Sequence, residues 1–139
     1  MDAMAGIELA SFSDPWPASA FTDLMRARHA RVTVAVNEHD IAVGYSVLLA
    51  VADEGEIANI AVASTLRGRG VGARLLDQAL LDAQREGVRS VYLEVRTSNH
   101  AARDLYASRA FVAVGRRRAY YRNPLEDALV LRWDNPSAG

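Results

Sequence analysis

Arg67-Gly68-Arg69-Gly70-Val71-Gly72 lies between an apolar segment, residues 57–63, and an amphipathic segment that begins at about residue 71. The apolar segment predicts a buried strand, and the amphipathic one predicts a helix. Three glycines let the backbone approach a ligand closely, and a helix start presents unpaired N–H groups and the positive end of its dipole. The stretch therefore predicts a loop that binds a phosphate-bearing ligand.

Two well-known phosphate loops do not fit this stretch. A Walker A loop needs Lys and then Ser or Thr after its last glycine, whereas Ala73 and Arg74 follow here. A Rossmann turn should follow its strand directly, but residues 64–67 intervene, and too little chain surrounds the motif for a doubly wound sheet. The pattern that remains is R-x-x-G-x-G, counted from Arg67 and ending at Gly72. The alternative interpretation is a glycine-rich surface turn.

Length and composition narrow the class of protein. The chain has 139 residues, of which 50% are hydrophobic, and this predicts a single domain over residues 1–139. A net charge of −1 argues against nucleic-acid binding, and the lack of cysteine excludes disulfides and thiolate metal sites. His29, His39 and His100 show no metal-ligand spacing, so we expect no metal. Without a membrane-length apolar run or a signal peptide, we expect a cytoplasmic protein.

Hydrophobic periodicity predicts an α/β (α+β) fold with one mixed sheet and flanking helices. The predicted strands are residues 31–36, 41–52, 57–63, 90–95, 111–121 and 128–133, and the predicted helices are residues 18 to about 30, 71–87 and 100–109. Short turns make the first three strands an antiparallel meander, whereas the helical crossover places strand 90–95 parallel to strand 57–63. Gly87 is expected to end its helix, Asn99 to cap the next one, and residues 135–139 to form a tail.

The order of these elements resembles the GNAT superfamily of N-acetyltransferases, which use acetyl-coenzyme A. The most similar branch is the ribosomal-protein-alanine N-acetyltransferases, on four segments: DPW (14–16), NIAV (59–62), YLEVRTSNHAARDLYASRAF (92–111) and RRAYYRNPLEDALVL (117–131). The resemblance covers nearly all of the chain from about Gly6, and the glycine loop and the EVR-x-SN-x(6)-Y arrangement are its most specific parts.

The chain departs from this family pattern in two places. The family's first strand is missing ahead of the Pro-Trp turn, so the sheet edge at residues 31–36 is expected to be uncovered and to offer a homodimer contact. The family also usually has glycine immediately before the phenylalanine that follows the last helix, where this chain has Ala110. If that position is left-handed, alanine costs roughly 1 kcal/mol relative to glycine.

The resemblance implies a role for each part of a cofactor cleft. Residues 59–62 would offer backbone groups to the pantetheine arm, and the Val62 N–H would polarise the thioester carbonyl. Glu94 would be the general base, acting through water, and Tyr106 would protonate the departing thiolate. Asn99 would hydrogen-bond the arm from the other side. The implied cofactor-binding residues are Ile60, Ala61, Val62, Arg67, Gly68, Arg69, Gly70, Val71, Gly72, Ala73, Asn99 and Tyr106.

Several alternatives remain open from the residues alone. Glu56 begins the strand ahead of the loop, where other branches of the superfamily place their base, but an exposed glutamate after a turn explains it equally well. Tyr106 is otherwise a packed helix tyrosine, and Tyr120 and Tyr121 either line a substrate channel or alternate between core and surface.

The resemblance implies acetylation of a protein N-terminal α-amine, and the branch it resembles most implies a ribosomal protein as the acceptor. The alternatives are an enzyme that acetylates a small-molecule amine and a non-catalytic acyl-coenzyme A-binding domain. Retention of both Glu94 and Tyr106 argues against the non-catalytic alternative.

Overall fold

Six strands form one mixed sheet in residues 29–137, which are the part of the chain that the computed structural model describes. The strands are β1 (Ala30–Val36), β2 (Ala42–Val51), β3 (Glu54–Val62), β4 (Ser90–Arg96), β5 (Val112–Tyr121) and β6 (Glu126–Asp134). The helices are α1 (Val71–Arg85) and α2 (His100–Ser108), and a single 3-10 turn at Ser64–Leu66 precedes α1.

The strand order across the sheet is β1-β2-β3-β4-β6-β5. Strands β1, β2 and β3 pair antiparallel, β3 and β4 pair parallel through the crossover helix α1, and β4, β6 and β5 pair antiparallel again. The predicted meander and the predicted single parallel crossover are both confirmed. The parallel pair is the junction between two antiparallel halves of the sheet.

Helix α1 ends where the sequence predicts, because Gly87 adopts a left-handed conformation with φ of 73°. The Val88 N–H donates to the Ala83 carbonyl at 3.0 Å, and the Gly87 N–H donates to the Gln84 carbonyl at 3.2 Å. This pair of bonds is a Schellman motif, which satisfies carbonyls that the end of a helix leaves unpaired. The chain is thereby turned directly into β4.

Helix α2 ends in the same motif, but with alanine at the left-handed position. Ala110 has φ of 68°, and the Phe111 N–H donates to the Tyr106 carbonyl at 3.1 Å. The Phe111 ring packs edge-on against Tyr106 with 5.7 Å between ring centroids, which supplies the apolar contact typical of the motif. Residue 110 is therefore left-handed, so the cost of roughly 1 kcal/mol for alanine relative to glycine applies there.

The main core lies between the sheet and the two helices. The apolar stripe of α1 packs there, as the sequence predicts, against one face of the central strands. The buried members of this core are Leu48, Ile57, Leu76, Ala79, Leu80, Ala83, Val88, Val91, Leu93, Val95, Tyr106, Phe111, Leu131 and Trp133. A smaller cluster is made by Tyr45, Val47 and Ala61.

Gly44 on β2 lets the first turns of α1 lie close to the sheet. A Cβ at this position would be 3.0 Å from the Ala61 carbonyl oxygen and 3.1 Å from Leu75 Cδ1, so both neighbours would have to shift by a few tenths of an ångström. Burial of Leu75 beside this glycine fixes the start of α1 over the ends of β2 and β3. The same contact therefore places the glycine loop.

Predictions at the two ends of the chain have different outcomes. The Pro-Trp turn, most of helix 18 to about 30, and the expectation that a first strand is missing concern residues outside 29–137. Strand β1 already begins at Ala30, so the predicted end of that helix is wrong there. The predicted tail begins after β6, which ends at Asp134, but its first residue is held by the rest of the domain. Asn135 is buried, and its Nδ2 donates to the Val88 carbonyl at 2.7 Å, which anchors the end of β6.

Candidate active site

Strands β3 and β4 pair at one end and separate at the other. Pairing is limited to Glu54 with Ser90, Gly55 with Val91 and Glu56 with Tyr92, although β3 continues to Val62 and β4 to Arg96. The register of β3 against β2 also shifts between the partners of Val47 and Leu48, which leaves Ala58 as a bulge. A bulge bends its strand. The two strands therefore form the walls of an opening within the sheet.

The glycine loop lies at the end of β3, beside this opening. Gly68 and Gly70 are left-handed, with φ of 78° and 82°, which glycine adopts without steric cost. A Cβ on either residue would have no atom within 4 Å, so the loop faces open space. Gly70 is the N-cap of α1, and no side chain caps it within the described residues. The first N–H groups of α1, at Val71, Gly72 and Ala73, have no partner within the helix and are available to an anion.

Two further contacts fix this loop against its neighbours. Arg67 Nε donates to the Val62 carbonyl at 3.2 Å, which joins the loop to the end of β3. A Cβ at Gly72 would lie 3.8 Å from both Val62 Cγ2 and Leu105 Cδ2, so the start of α1 adjoins β3 and α2 at once. Arg69 is exposed. The predicted cofactor residues of β3 and of the loop are therefore adjacent.

Asn99 is the N-cap of α2, as predicted. Its Oδ1 accepts from the Ala102 N–H at 3.1 Å, which fixes the orientation of the side chain. The Nδ2 group makes no hydrogen bond to another residue of the described range, and Asn99 is exposed. The amide can therefore donate to a ligand while its oxygen caps the helix.

Tyr106, seven residues further along, is a core residue at the far end of α2. Burial, followed by the nearby Tyr121, raises its pKa above the ordinary tyrosine value. The hydroxyl therefore keeps its proton at neutral pH. The ring is packed as the structural alternative predicts, and the hydroxyl remains a proton or hydrogen-bond donor.

Glu94 lies on β4, two residues beyond the last pairing with β3. Strand alternation directs it away from the core face that Leu93 and Val95 share with Tyr106. Its side chain is only 15% exposed, and Arg117 Nε lies 3.4 Å from Glu94 Oε1. Burial and then Glu56 raise the pKa of Glu94, and Arg117 opposes them. Glu94 therefore lies on the face of β4 opposite to the core face that contains Tyr106.

A pair of tyrosines at the end of β5 lies beside Glu94. The rings of Tyr120 and Tyr121 meet edge-on at 5.0 Å, and the Arg96 guanidinium lies 4.5 Å above the Tyr121 ring. Burial, then Tyr120, then Glu94 raise the pKa of Tyr121 to about 12. Tyr121 is thus close to both Glu94 and Tyr106.

Arg96 and Arg117 also lie in this site, although neither is among the residues predicted for it. Two signals were available: Arg96 is the arginine of the EVR-x-SN-x(6)-Y arrangement, and Arg117 belongs to a run of three arginines just before the tyrosines. In the described part of the chain no cluster of three or more metal-ligating side chains occurs. Neither α1 nor α2 in that part is long and apolar enough to cross a membrane.

A family model described as "Acetyltransferase (GNAT) family" matches residues 1–111. The chain belongs to the GNAT family of acetyltransferases. The matched residues include the glycine loop, Glu94, Asn99 and Tyr106. A GNAT enzyme of this kind is an acetyl-coenzyme A-dependent N-acetyltransferase.

Relatives within the GNAT family include two N-terminal acetyltransferases. N-alpha-acetyltransferase RimI of Mycobacterium tuberculosis is 42% identical over 126 residues, covering 88% of this chain and 77% of the relative. The [ribosomal protein bS18]-alanine N-acetyltransferase of Escherichia coli K12 is 32% identical over 127 residues, covering 90% and 84%. The crystal structure of the ribosomal-protein-S18-alanine N-acetyltransferase from Escherichia coli matches with a TM-score of 0.89 at 28% identity, covering 99% of this chain and 89% of that one.

Proposed function

We propose that this enzyme transfers the acetyl group of acetyl-coenzyme A to the N-terminal α-amine of a protein, with the N-terminal alanine of ribosomal protein bS18 as its acceptor. The observation that carries the proposal is the opening between β3 and β4, with the left-handed glycine loop after the end of β3 and Glu94 on the strand that forms the other wall. Relatives with this acceptor in their names align over 90% of the chain.

The glycine loop is the proposed site of the pyrophosphate. The open space beside Gly68 and Gly70 fits an anion, and the free N–H groups at residues 71–73 are the donors. The pantetheine arm then runs along Ile60, Ala61 and Val62, whose backbone groups toward β4 lie beyond the paired part of the two strands. Asn99 donates its Nδ2–H to the arm from the α2 side.

The proposed chemistry uses the two faces of the sheet. The acceptor nitrogen attacks the thioester carbon from the Glu94 face, and its proton passes through water to the Glu94 carboxylate. The Val62 N–H stabilises the oxygen on which negative charge develops. As the carbon–sulfur bond breaks, Tyr106 donates a hydrogen bond or its proton to the sulfur. A thiol has an ordinary pKa of about 8.5, so Tyr106, which holds its proton more tightly, acts chiefly as a hydrogen-bond donor.

Thiol release with acetyl-coenzyme A tests the acceptor. A peptide that begins with the bS18 N-terminal sequence should release coenzyme A, and mass spectrometry should locate the acetyl group on the α-nitrogen. The same peptide with a blocked N-terminus is the control. Preferred use of small amines would make this a small-molecule acetyltransferase. If acetyl-coenzyme A binds but no acceptor causes thiol release, the protein is an acyl-coenzyme A-binding domain.

We also propose that two copies of the protein form a homodimer through strand β1. Strand β1 is last in the strand order of residues 29–137, and Val34 and Val36 are exposed on it. Edge strands with exposed apolar residues are prone to pair with another chain. Sedimentation analysis should show a dimer that Val34→Lys reduces to a monomer, and an unchanged mass for that variant would rule out this edge.

A further inference from the structure

Glu126, the first residue of β6, accepts four hydrogen bonds from the segment that joins β4 to α2. Its Oε2 accepts from Thr97 Oγ1 at 2.8 Å and from the Ser98 N–H at 2.6 Å. Its Oε1 accepts from Ser98 Oγ at 3.0 Å and from Arg96 Nη1 at 3.3 Å. The Glu126 side chain is 16% exposed. One carboxylate thus fixes the three residues that lead to Asn99.

Arg96 makes the reciprocal set of contacts with the turn between β5 and β6. Its Nη1 donates to the Pro124 carbonyl at 3.0 Å, and its Nη2 donates to the Arg122 carbonyl at 2.9 Å. The guanidinium plane also covers the Tyr121 ring. The planar fork of arginine suits such simultaneous contacts, which a lysine does not reproduce. Glu126 therefore fixes the β5–β6 turn as well, through Arg96.

These two turns adjoin the groups that the proposed function assigns to the β4 side of the cleft. The β4–α2 turn ends at Asn99 and leads into the helix that carries Tyr106, and the β5–β6 turn begins at Tyr121. We propose that Glu126 is a positioning residue that couples the cofactor side of the cleft to its acceptor side. The proposal rests on the proposed function in one respect, namely that Asn99 binds the pantetheine arm.

Glu126 is excluded from acid–base work by the same contacts. Hydrogen bonds from Ser98 and Thr97, reinforced by Arg96, lower its pKa to about 2. A carboxylate so weakly basic does not take a proton from an amine near neutral pH. Its charge is matched by Arg96, so the unit adds little net field to the site. Its effect on the reaction must come through the position of its donors.

The test compares Glu126→Ala and Glu126→Gln with Asp134→Asn. Asp134 is a matched control because it ends β6, as Glu126 begins it, and likewise accepts a hydrogen bond at 2.8 Å from the hydroxyl of a β4 serine, Ser90. The measurements are acetyl-coenzyme A affinity by calorimetry and amide hydrogen exchange over residues 97–103 and 119–127. Neither measurement needs an acceptor.

We expect Glu126→Ala to weaken acetyl-coenzyme A binding about tenfold and to increase exchange in both segments together, consistent with the loss of several hydrogen bonds to a charged group. Glu126→Gln should be intermediate, because its oxygen replaces one acceptor while its NH₂ faces donors. Asp134→Asn should change neither. If Glu126→Ala fails to fold, Glu126→Gln decides alone.

The proposal would be overturned by loosening of one segment only, by unchanged affinity despite loosening of both, or by wild-type behaviour of Glu126→Gln. A fall in melting temperature with unchanged affinity and exchange at 25 °C would make Glu126 purely structural and would also overturn it. Failure of the wild type to acetylate the bS18 peptide would refute the proposed acceptor and would leave these measurements intact.

Discussion

Replacing Gly70 by alanine should weaken acetyl-coenzyme A binding while the protein stays folded. Gly70 has φ of 82°, and a methyl group there would enter the open space that the proposed pyrophosphate occupies. The left-handed strain of alanine costs roughly 1–2 kcal/mol, and the reduced freedom of the unfolded chain offsets about 0.4–1 kcal/mol of this. The net loss of about 1 kcal/mol is small beside the 5–15 kcal/mol typical of a folded domain.

Binding should suffer more than folding does. Loss of one hydrogen bond to a charged phosphate oxygen costs about 1.5–3 kcal/mol, which raises the dissociation constant by about ten- to a hundredfold. Gly87→Ala is the matched control, because Gly87 is also left-handed, at φ of 73°, and a Cβ there also has no atom within 4 Å. It lies at the opposite end of α1. Both variants should therefore lose similar stability, and only Gly70→Ala should lose affinity.

Calorimetry with acetyl-coenzyme A and denaturant unfolding measure these two effects separately. Turnover with acetyl-pantetheine, which lacks the pyrophosphate, adds a third readout. Its kcat/KM should be the same in wild type and Gly70→Ala if the loop acts only on the pyrophosphate. Equal affinities for acetyl-coenzyme A in wild type and Gly70→Ala would refute the assignment of the loop.

The remaining predictions concern the reacting groups and the end of α2. Tyr106→Phe should lower kcat about a hundredfold with little change in acetyl-coenzyme A affinity; near-normal turnover would mean that the Tyr106 hydroxyl does not assist the departure of the sulfur. Glu94 must be ionised to act as a base and its pKa is raised, so wild-type activity should fall as pH drops through that raised value. Glu94→Gln should be impaired most near neutrality and less at high pH, where the acceptor amine loses its own proton, and Glu56→Gln showing this profile instead would transfer the role to Glu56. Ala110→Gly should raise the free energy of unfolding by roughly 1 kcal/mol, because residue 110 is left-handed, and an unchanged denaturation midpoint would contradict this.

Most of the fold can be predicted from the sequence because the patterns that determine its elements are local. The α1 stripe, the glycine at residue 87 and the cap at Asn99 each act within one or two helical turns, and each lies where the sequence predicts. The right-handed crossover then leaves one arrangement for β3 and β4. Strand β6 begins at Glu126, two residues before its apolar pattern begins, because Glu126 pairs with Tyr121 of β5 and the Asp127 carboxylate accepts from the Ala119 N–H of β5.

The candidate site is only partly accessible from the sequence, because its support comes from residues far apart along the chain. Arg96 and Glu126 are separated by 30 positions, and no periodicity in the sequence indicates that they are in contact. Arg117 reaches Glu94 across the intervening strand β6, which depends on the register of three strands. The anchoring of Asn135 is likewise a contact between distant residues, made with the chain after α1. A polar residue after the last strand looks like a tail until its partner is known.

The short pairing of β3 with β4 has a consequence for how this enzyme denatures. Three residue pairs form the only ladder between the two antiparallel halves within the described residues, and α1 bridges them above. A pantetheine arm that bonds to both walls would complete the seam as an extra strand does. Cofactor occupancy and the stability of the native state are then linked, since a ligand that binds only the native state stabilises it by RT ln(1 + [L]/Kd). At a hundred times the dissociation constant this amounts to about 2.7 kcal/mol, and residues 54–56 and 90–92 should be the positions where exchange slows most.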